Sequence, residues 1–500
     1  MYPGDSINIG TTVFSRMNPT VTPVMDNIMM DGQWFFVPLR LLWDNWEKFN
    51  GAQDNPGDST NFTIPQRYID NVVGANNVYP LGSLDDYLGV PTEIPLQNTA
   101  GTPVGISALP TRAYALIFNE WYRDQNIQSS VNFTRDDGPD IALTDSLIYP
   151  MLSNKTKDYF TSCLPWPQKG PAVPIPSPDY SGTYELNPST NLTFRQGTAL
   201  SPTWTGTPTL ITGSGTIGYS SVSGSPSNGG QVNYQEGLDV TIPAPTQAFI
   251  NELREAYQIQ RLYERDARGG TRYTEIIRAH FGVISPDARL QRPEFLGQFS
   301  AMLNMHPVSQ TSQTTTGGSG SPQANLAGNG IVLSSGNRVS SSFTEHGILM
   351  CLARVRGQLS YSQGLNRLWT DKTRFDFYWP AFAHLGEQAV LRKEVVYSGS
   401  DFDEGVFGYQ ERFGHLRYKQ SMQTNLMRPD ATGSLAVWNL SEDIVLNTGS
   451  IDPEFIQSST PLQRALIVPT SQAFLTDFYF DYKHSRPMPT YSVPGMSDHF

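Results

Sequence analysis

The chain has 500 residues, with 34 basic and 46 acidic side chains and a formal net charge of −12. This acidic excess excludes a surface that attracts nucleic acid as a whole, so any contact with nucleic acid has to be local. Charged residues make up only 16% of the chain, against a usual level of about 25%, while aromatic residues reach 11%. Such a composition favours a protein that covers much of its surface with neighbours.

The chain is also rich in turn-forming residues, with 43 glycines and 37 prolines. Its two cysteines, Cys163 and Cys351, lie far apart and in no metal-binding spacing, so neither a disulfide framework nor a zinc site is predicted. The first ten residues lack the basic and apolar regions of a secretion signal. No apolar run approaches the roughly 18 residues that a membrane span requires. We therefore expect neither a secretion signal nor a membrane span.

The first predicted elements lie in the N-terminal quarter. Residues 24–49 begin with apolar runs broken by Gly32 and Pro38, which predicts a strand interrupted by proline at an edge or bulge, followed by a helical turn. Residues 111–126 have helical spacing, with Thr111 as the predicted N-cap. We expect one aromatic face of this helix to be buried. The residues of that face are Tyr114, Ile117, Phe118, Trp121 and Tyr122.

Further helices are predicted in the middle of the chain, and strands in its C-terminal part. Thr246 is the predicted cap of a helix with the stripe Phe249, Ile250, Leu253 and Tyr257, and helical signal resumes at 271–281. Residues 347–361 and 474–483 alternate with period two, which predicts strands. The sequence therefore indicates an antiparallel β core that carries large helical insertions.

Two segments have low complexity. Residues 177–240 contain five charged side chains among Ser, Thr, Gly and Pro, and we predict an exposed insertion that is ordered by packing against copies of itself. Its aromatic residues are the candidates for that contact: Tyr180, Tyr184, Trp204, Tyr219 and Tyr234. Residues 309–342 have a similar composition without the aromatics and are predicted to form a second low-complexity loop.

Signatures of catalysis are missing from the sequence. It contains no Gly-Lys pair, hence no P-loop, and no H-E-x-x-H or G-x-S-x-G motif. The adjacent carboxylates Asp85-Asp86 and Asp136-Asp137 diverge on any regular element, and we interpret them as solvated turn residues rather than a catalytic pair. We predict no catalytic residue, cofactor or metal site, and no enzymatic activity.

An arginine-rich segment lies between residues 250 and 292, with eight arginines and no lysine. Arg265, Arg268 and Arg272 flank a Gly-Gly pair, so phosphate binding is one interpretation. Six carboxylates in the same segment favour the other interpretation, in which these arginines form fixed contacts within or between subunits.

Several long stretches resemble the major capsid protein of the Microviridae, in particular its gokushovirus branch. They are PVMDN at 23–27, FFVPLRLLWDNWEKFNG at 35–51, RAYALIFNEWYRDQN at 112–126, DYFTSCLPWPQKGPAV at 158–173, RLYERDARGGTRYTEIIRAHFGV at 261–283, SYSQGLNRLW at 360–369 and RPMPTYSVPGMSDHF at 486–500. They follow the order of the family over essentially the whole chain.

The resemblance implies one domain over residues 1–500, an eight-stranded antiparallel jelly-roll barrel with long helical and loop insertions. It further implies 60 subunits in a T=1 icosahedral shell around circular single-stranded DNA, a virion assembled in the cytoplasm of a bacterial host. The variable insertion of the family forms protrusions at the threefold axes and falls here at 177–240. The partners implied are an internal scaffolding protein, a DNA-pilot minor protein, a small basic DNA-binding peptide and a host receptor that contacts residues 177–240.

An acidic shell protein can offer only sparse contacts to packaged DNA. Arg354 and Arg356 share one face of the strand predicted at 347–361 and are candidates for such a contact. Pairing with acidic neighbours across a subunit interface is the alternative. Two other functions also remain open at this point, a virion spike that recognises the host and a secreted glycan-active β protein.

Overall fold

The computed structural model describes residues 1–70, 72, 76–142, 147–173, 209–213, 216–220, 250–284, 291–312, 323–447 and 449–488. It divides into two compact units, one formed by Met1–Pro171 with Leu262–Phe500 and the other by Ala172–Arg261. In the second unit, two short strands form an antiparallel hairpin. The larger unit contains the sheets described next.

The strands are β1 (Ser6–Met17), β2 (Ile28–Pro38), β3 (Gln66–Tyr68), β4 (Ile106–Ser107), β5 (Asp140–Ile141), β6 (Thr209–Gly213), β7 (Thr216–Ser220), β8 (Glu294–Met302), β9 (Asn304–Ser309), β10 (Leu326–Ser342), β11 (Gly347–Gly357), β12 (Glu387–Leu391), β13 (Val406–Glu411) and β14 (Phe474–Ser485). The α-helices are α1 (Trp46–Phe49), α2 (Leu84–Tyr87), α3 (Leu109–Ile117), α4 (Ile250–Arg268), α5 (Tyr273–Phe281), α6 (Arg392–Val395) and α7 (Pro453–Ile456).

Two antiparallel sheets form the centre of the larger unit, in the orders β14-β1-β10-β9 and β11-β2-β8. Their facing side chains share one core: Val13 and Val332 from the first sheet pack with Met30 and Phe299 from the second. Burial of these apolar surfaces is the main free energy that holds the sheets together. The protein is mainly β, as predicted, and the described strands form open sheets rather than a closed barrel.

A third layer covers the other face of β2 and β11. Phe35 and Val37 of β2 and Met350 of β11 pack against α3, in a cluster that also contains the fully buried Trp43. The part of β2 from Trp34 to Val37 is thus buried on both faces, which explains its unbroken run of apolar residues. The strand ends at Pro38 instead of being interrupted by it. Because β2 pairs with β11 on one side and with β8 on the other, it has no free edge on which proline could be tolerated in its interior.

Helix α3 differs from the prediction at its start. It begins at Leu109 after the cap residue Ala108, with Pro110 in the first turn, so Thr111 is not the N-cap. The Thr111 hydroxyl instead donates to a carboxylate oxygen of Asp85, at 3.2 Å. Proline suits the first turn because its missing N–H would have no partner there. The helix is also buried nearly all round, beyond the one aromatic face expected.

Other predictions had mixed outcomes. Helices α4 and α5 and strands β11 and β14 confirm four predicted elements, whereas Thr246 and Phe249, the predicted cap and first stripe residue of α4, lie outside the described residues. The predicted loop at 309–342 is wrong for residues 326–342, which form β10. This strand lies between β1 and β9 and forms backbone hydrogen bonds with both. Backbone pairing of this kind stabilises a strand whose side chains show no strand pattern in the sequence.

The predicted role of the acidic pairs is wrong for Asp85, whose side chain is buried against Arg67 at 3.3 Å. Asp136 is exposed but lies 3.5 Å from the buried Arg112. The Arg112 guanidinium also donates to both carboxylate oxygens of Asp140, at 2.9 and 2.7 Å. The Arg112–Asp140 pair joins α3 to β5 of the small sheet β4-β3-β5, and the Arg67–Asp85 pair joins β3 of that sheet to α2. A turn context in the sequence cannot reveal such partners because they come from distant segments.

None of the helices in the described ranges combines the length and apolar character that a bilayer crossing requires.

Candidate assembly and nucleic-acid surfaces

Arg354 and Arg356 lie near the C-terminal end of β11, on the same face of the sheet that α3 covers at the beginning of the strand. Residues Ile348, Met350 and Leu352 of the same face join the core with α3, and the two arginines follow where that cover ends. The predicted transition from apolar to basic along one face is therefore present. About a quarter of each guanidinium side chain remains exposed.

Both arginines share one carboxylate of the neighbouring strand. Asp31 of β2 stands opposite Arg354 in the register, and its Oδ2 lies 3.4 Å from Arg354 Nε and 2.6 Å from Arg356 Nε. Ser300, opposite Asp31 on β8, donates to Oδ1 at 2.6 Å. Arg354 Nη1 also donates to the Asn154 carbonyl at 3.2 Å. We name Asp31, Arg354 and Arg356 the Asp31 triad.

The Asp31 triad carries a net charge of +1, from two guanidinium groups and one carboxylate. Burial by itself would raise the pKa of Asp31. Hydrogen bonds from Arg356 and Ser300, with the charges of both arginines, outweigh burial and hold the pKa below its ordinary value. Asp31 therefore stays ionised at neutral pH, and the triad offers a single excess positive charge. Sequence reasoning missed Asp31 because it lies more than 320 residues from its partners.

The arginines of the middle segment are partly engaged within the chain. Arg268, in the last turn of α4, contacts Glu387 and lies 3.5 Å from Glu411, at the ends of β12 and β13. Arg272 pairs with Glu120 at 2.5 Å and Glu275 at 2.7 Å.

Arg265 of the same helix is exposed. The described contacts of Arg268 and Arg272 are carboxylates and a carbonyl of this chain, which leaves less of their charge for an outside phosphate.

The aromatic candidates of the 177–240 segment fall largely outside the described residues. Tyr180, Tyr184, Trp204 and Tyr234 lie there, and Tyr219 belongs to β7, of which the backbone is described. The register of the hairpin pairs Leu210 with Tyr219.

The described residues include no group of three or more His, Cys, Asp or Glu side chains placed to hold a metal ion. Both cysteines are free thiols. Burial raises the pKa of Cys163 above its ordinary range and that of Cys351 to about 12. A thiol in such surroundings stays protonated and is a poor nucleophile at neutral pH.

A surface that the sequence analysis did not single out lies at residues 366–386, here called the aromatic segment. Within it, the side chains of Trp369, Phe375, Phe377, Tyr378 and Trp379 are between 44% and 77% exposed. The signal was present in the sequence, as seven aromatic or proline residues between 369 and 382. It was overlooked because neither helical nor strand periodicity marks it.

Comparisons of the sequence with known proteins identify capsid proteins along essentially its whole length. The sequence profile of the capsid protein (F protein) family matches residues 1–496. Capsid protein VP1 of Bdellovibrio phage phiMH2K is 42% identical, and the alignment covers 100% of this chain and 91% of the relative. Capsid protein VP1 of Chlamydia phage 1 is 37% identical over 99% of this chain and 91% of the relative.

Capsid protein VP1 of Spiroplasma virus 4 is 32% identical over 99% of this chain and 90% of the relative. These matches confirm the resemblance to phage capsid proteins that the sequence analysis identified. They also confirm the prediction of a structural protein rather than an enzyme. The chain belongs to the capsid protein (F protein) family.

Proposed function

We propose that this chain is the major capsid protein of a bacteriophage and that 60 copies form a T=1 icosahedral shell around a circular single-stranded DNA genome. The observation that carries the proposal is the family match over residues 1–496. Two antiparallel sheets packed face to face support a jelly-roll fold. In this proposal the seven strands of these two sheets belong to an eight-stranded barrel.

The proposal treats residues 1–500 as one jelly-roll domain with insertions. Residues 177–240 form the threefold protrusion and contact the host receptor through Tyr180, Tyr184, Trp204, Tyr219 and Tyr234, since tyrosine and tryptophan supply much contact area at low entropic cost. Support comes from the division of the chain, in which Ala172–Arg261 forms a unit of its own.

Deletion of residues 177–240 tests this assignment. We expect soluble, folded subunits, because the larger unit has its own cores, together with impaired infection or weaker threefold contacts. Far-ultraviolet circular dichroism of the subunits and plaque counts of the phage measure the two effects. Loss of all soluble protein would show that the segment is part of the folding core.

The capsid interior offers only sparse contacts to DNA in this proposal. A separate basic peptide or small cations neutralise most phosphates, because a subunit at −12 cannot do so. Arg354 and Arg356 are the proposed contact. Since both share Asp31, the site presents one net charge, and the purified subunit should bind single-stranded DNA weakly, with a shallow dependence on salt.

Asp31→Asn is the variant that tests this contact. It raises the charge of the triad from +1 to +2, so the slope of log affinity against log salt should steepen by about 0.7 for single-stranded DNA. Asp481→Asn is the matched control, since it changes the total charge equally and releases Arg338 from a 2.5 Å ion pair elsewhere. Equal slopes in both variants would mean that the triad does not face DNA. The arginines would then serve in the pairing with Asp31 within the chain, or in pairing with acidic neighbours across a subunit interface.

The remaining partners in the proposal are an internal scaffolding protein, a DNA-pilot minor protein and other copies of the chain, including contacts through Arg265, Arg268 and Arg272. Assembly takes place in the cytoplasm of the bacterial host and the product is the virion. Expression with the neighbouring phage genes should give particles in which this chain is the dominant protein band. A minor band would instead indicate a spike protein.

A further inference from the structure

The aromatic segment holds large apolar side chains in solvent. Trp369 is 77% exposed and Phe377 is 57% exposed, and Leu368 and Leu385 at the two ends are also mostly exposed. At roughly 200 Å² for each aromatic side chain, the five exposed rings leave about 600 Å² in solvent. With the leucines, this exceeds the largest apolar patch of a typical monomer, about 300–600 Å². It approaches the roughly 800 Å² that one partner contributes to a standard interface.

Three rings of the segment pack against one another or against neighbouring side chains. Phe375 and Phe382 meet edge to face with centroids 5.8 Å apart, and Tyr378 meets Phe413 at 5.3 Å. The Arg412 guanidinium lies 6.0 Å from the Phe382 ring and 5.0 Å from the Phe413 ring, which connects the two pairs. Phe375, Tyr378 and Phe382 are therefore linked through Phe413 and Arg412 and do not stand as isolated side chains.

The backbone of the segment is held in place. Asp376 accepts hydrogen bonds from the backbone N–H groups of Lys372 and Thr373, at 3.0 and 2.7 Å. Arg367 donates to the Ala389 carbonyl of β12 at 3.2 Å, and Trp379 Nε1 donates to the Arg374 carbonyl at 2.9 Å. Rings presented on a fixed backbone lose little conformational entropy when a partner covers them.

The charges of the segment favour a protein partner over single-stranded DNA. A groove for single strands needs cations along the phosphates as well as rings for stacking. The segment has three cations, Arg367, Lys372 and Arg374, and two carboxylates, Asp371 and Asp376, that offset two of the positive charges. Arg367 also lies 3.7 Å from Glu394, and the Arg374 guanidinium lies over the Trp379 ring. The composition instead matches the core of a protein interface, which is rich in aromatic residues and poor in charge.

We infer that the aromatic segment, residues 366–386, is a contact surface between copies of this chain, covered by the neighbouring subunit in the shell. The inference rests on the proposed function, which supplies a second copy at high local concentration. The segment carries a net charge of +1 in a chain of −12, so a second copy of the chain is opposite to it in overall sign of charge. Trp369 and Phe377 are the contact residues with the greatest expected effect.

The test uses a double variant that carries both Trp369→Ser and Phe377→Ser. The control is the variant Tyr87→Ser, because Tyr87 lies outside the segment and is 72% exposed. Each protein is expressed with the neighbouring phage genes. The double variant should unfold at the same temperature as the original subunit, because neither ring is buried. Its yield of particles should fall by about 30-fold or more, as expected for the loss of an interface hot spot. The control should assemble normally.

Hydroxyl-radical footprinting gives a second measurement, on the unsubstituted protein. Oxidation of the peptide that contains Trp369 and Phe377 should slow several-fold in particles compared with free subunits. Normal particle yield in the double variant, or equal oxidation in both states, overturns the inference.

A double variant that assembles at normal yield but packages less DNA also overturns the inference and assigns the segment to nucleic acid. If the unsubstituted chain forms no particles, the proposed function fails instead.

Discussion

Replacing Asp140 by asparagine should unfold the α3 region far more readily than the same change at Asp136. The Arg112 side chain is 1% exposed and pairs with Asp140 at 2.9 and 2.7 Å, while Asp136 lies 3.5 Å away and is 65% exposed. Both variants remove one negative charge beside the same guanidinium. They differ in how deeply the lost partner is buried.

The magnitude follows from burial. Breaking a buried ion pair by removing one partner costs about 3–5 kcal/mol, because a buried charge stays uncompensated. Arg112 still donates to the carbonyls of Leu42 and Asp136, at 3.2 and 2.9 Å, so Asp140→Asn should lower the free energy of unfolding by about 3 kcal/mol. Asp136→Asn removes a largely solvated contact and should cost at most about 1 kcal/mol.

Urea unfolding of soluble subunits, followed by far-ultraviolet circular dichroism, measures the difference. The slope against urea should be unchanged, so that the midpoints report stability. Equal midpoints for the two variants would refute the reasoning. The Arg112–Asp140 pair would then contribute no more than an exposed contact.

Two further predictions concern titratable groups. Burial raises the pKa of the Glu394 carboxyl in the folded protein. Its contribution to stability is therefore complete below the pKa that Glu394 has in the unfolded chain, and it is lost as pH rises through the pKa in the folded protein. Glu394→Gln should weaken the pH dependence of the thermal midpoint above pH 4.5. An unchanged pH profile would contradict this. Burial also predicts that Cys163 and Cys351 resist iodoacetamide at pH 8 in the folded subunit and react after denaturation, as counted by mass spectrometry. Modification of either thiol in the native protein would show that it is accessible.

The sequence predicted elements where side-chain periodicity follows burial. In β11, Met350 faces α3 and Cys351 faces the opposite sheet, so the alternation is visible to a reader of the sequence. In β10 it is not. Gly330 is required there because a Cβ would lie 3.0 Å from Met17 Cβ and 2.8 Å from Leu303 Cδ2. A residue that looks like a loop former is thus needed for close packing of strands.

The partners of the candidate site residues could not be predicted for a different reason. Arg354 and Arg356 stand out as cations on an apolar strand, but nothing near them in sequence indicates Asp31. The pairing depends on the register of β2 and β11, which long-range packing sets. Local patterns therefore identified the charged groups and left their electrostatic environment open.

Electron microscopy of particles purified after expression with the neighbouring phage genes tests the central claim most directly. The account predicts icosahedral particles of one size, with 60 copies of this chain as the dominant protein and density for two facing sheets in each subunit. Particles in which this chain is absent from the continuous shell, or present only in isolated projections, would contradict it.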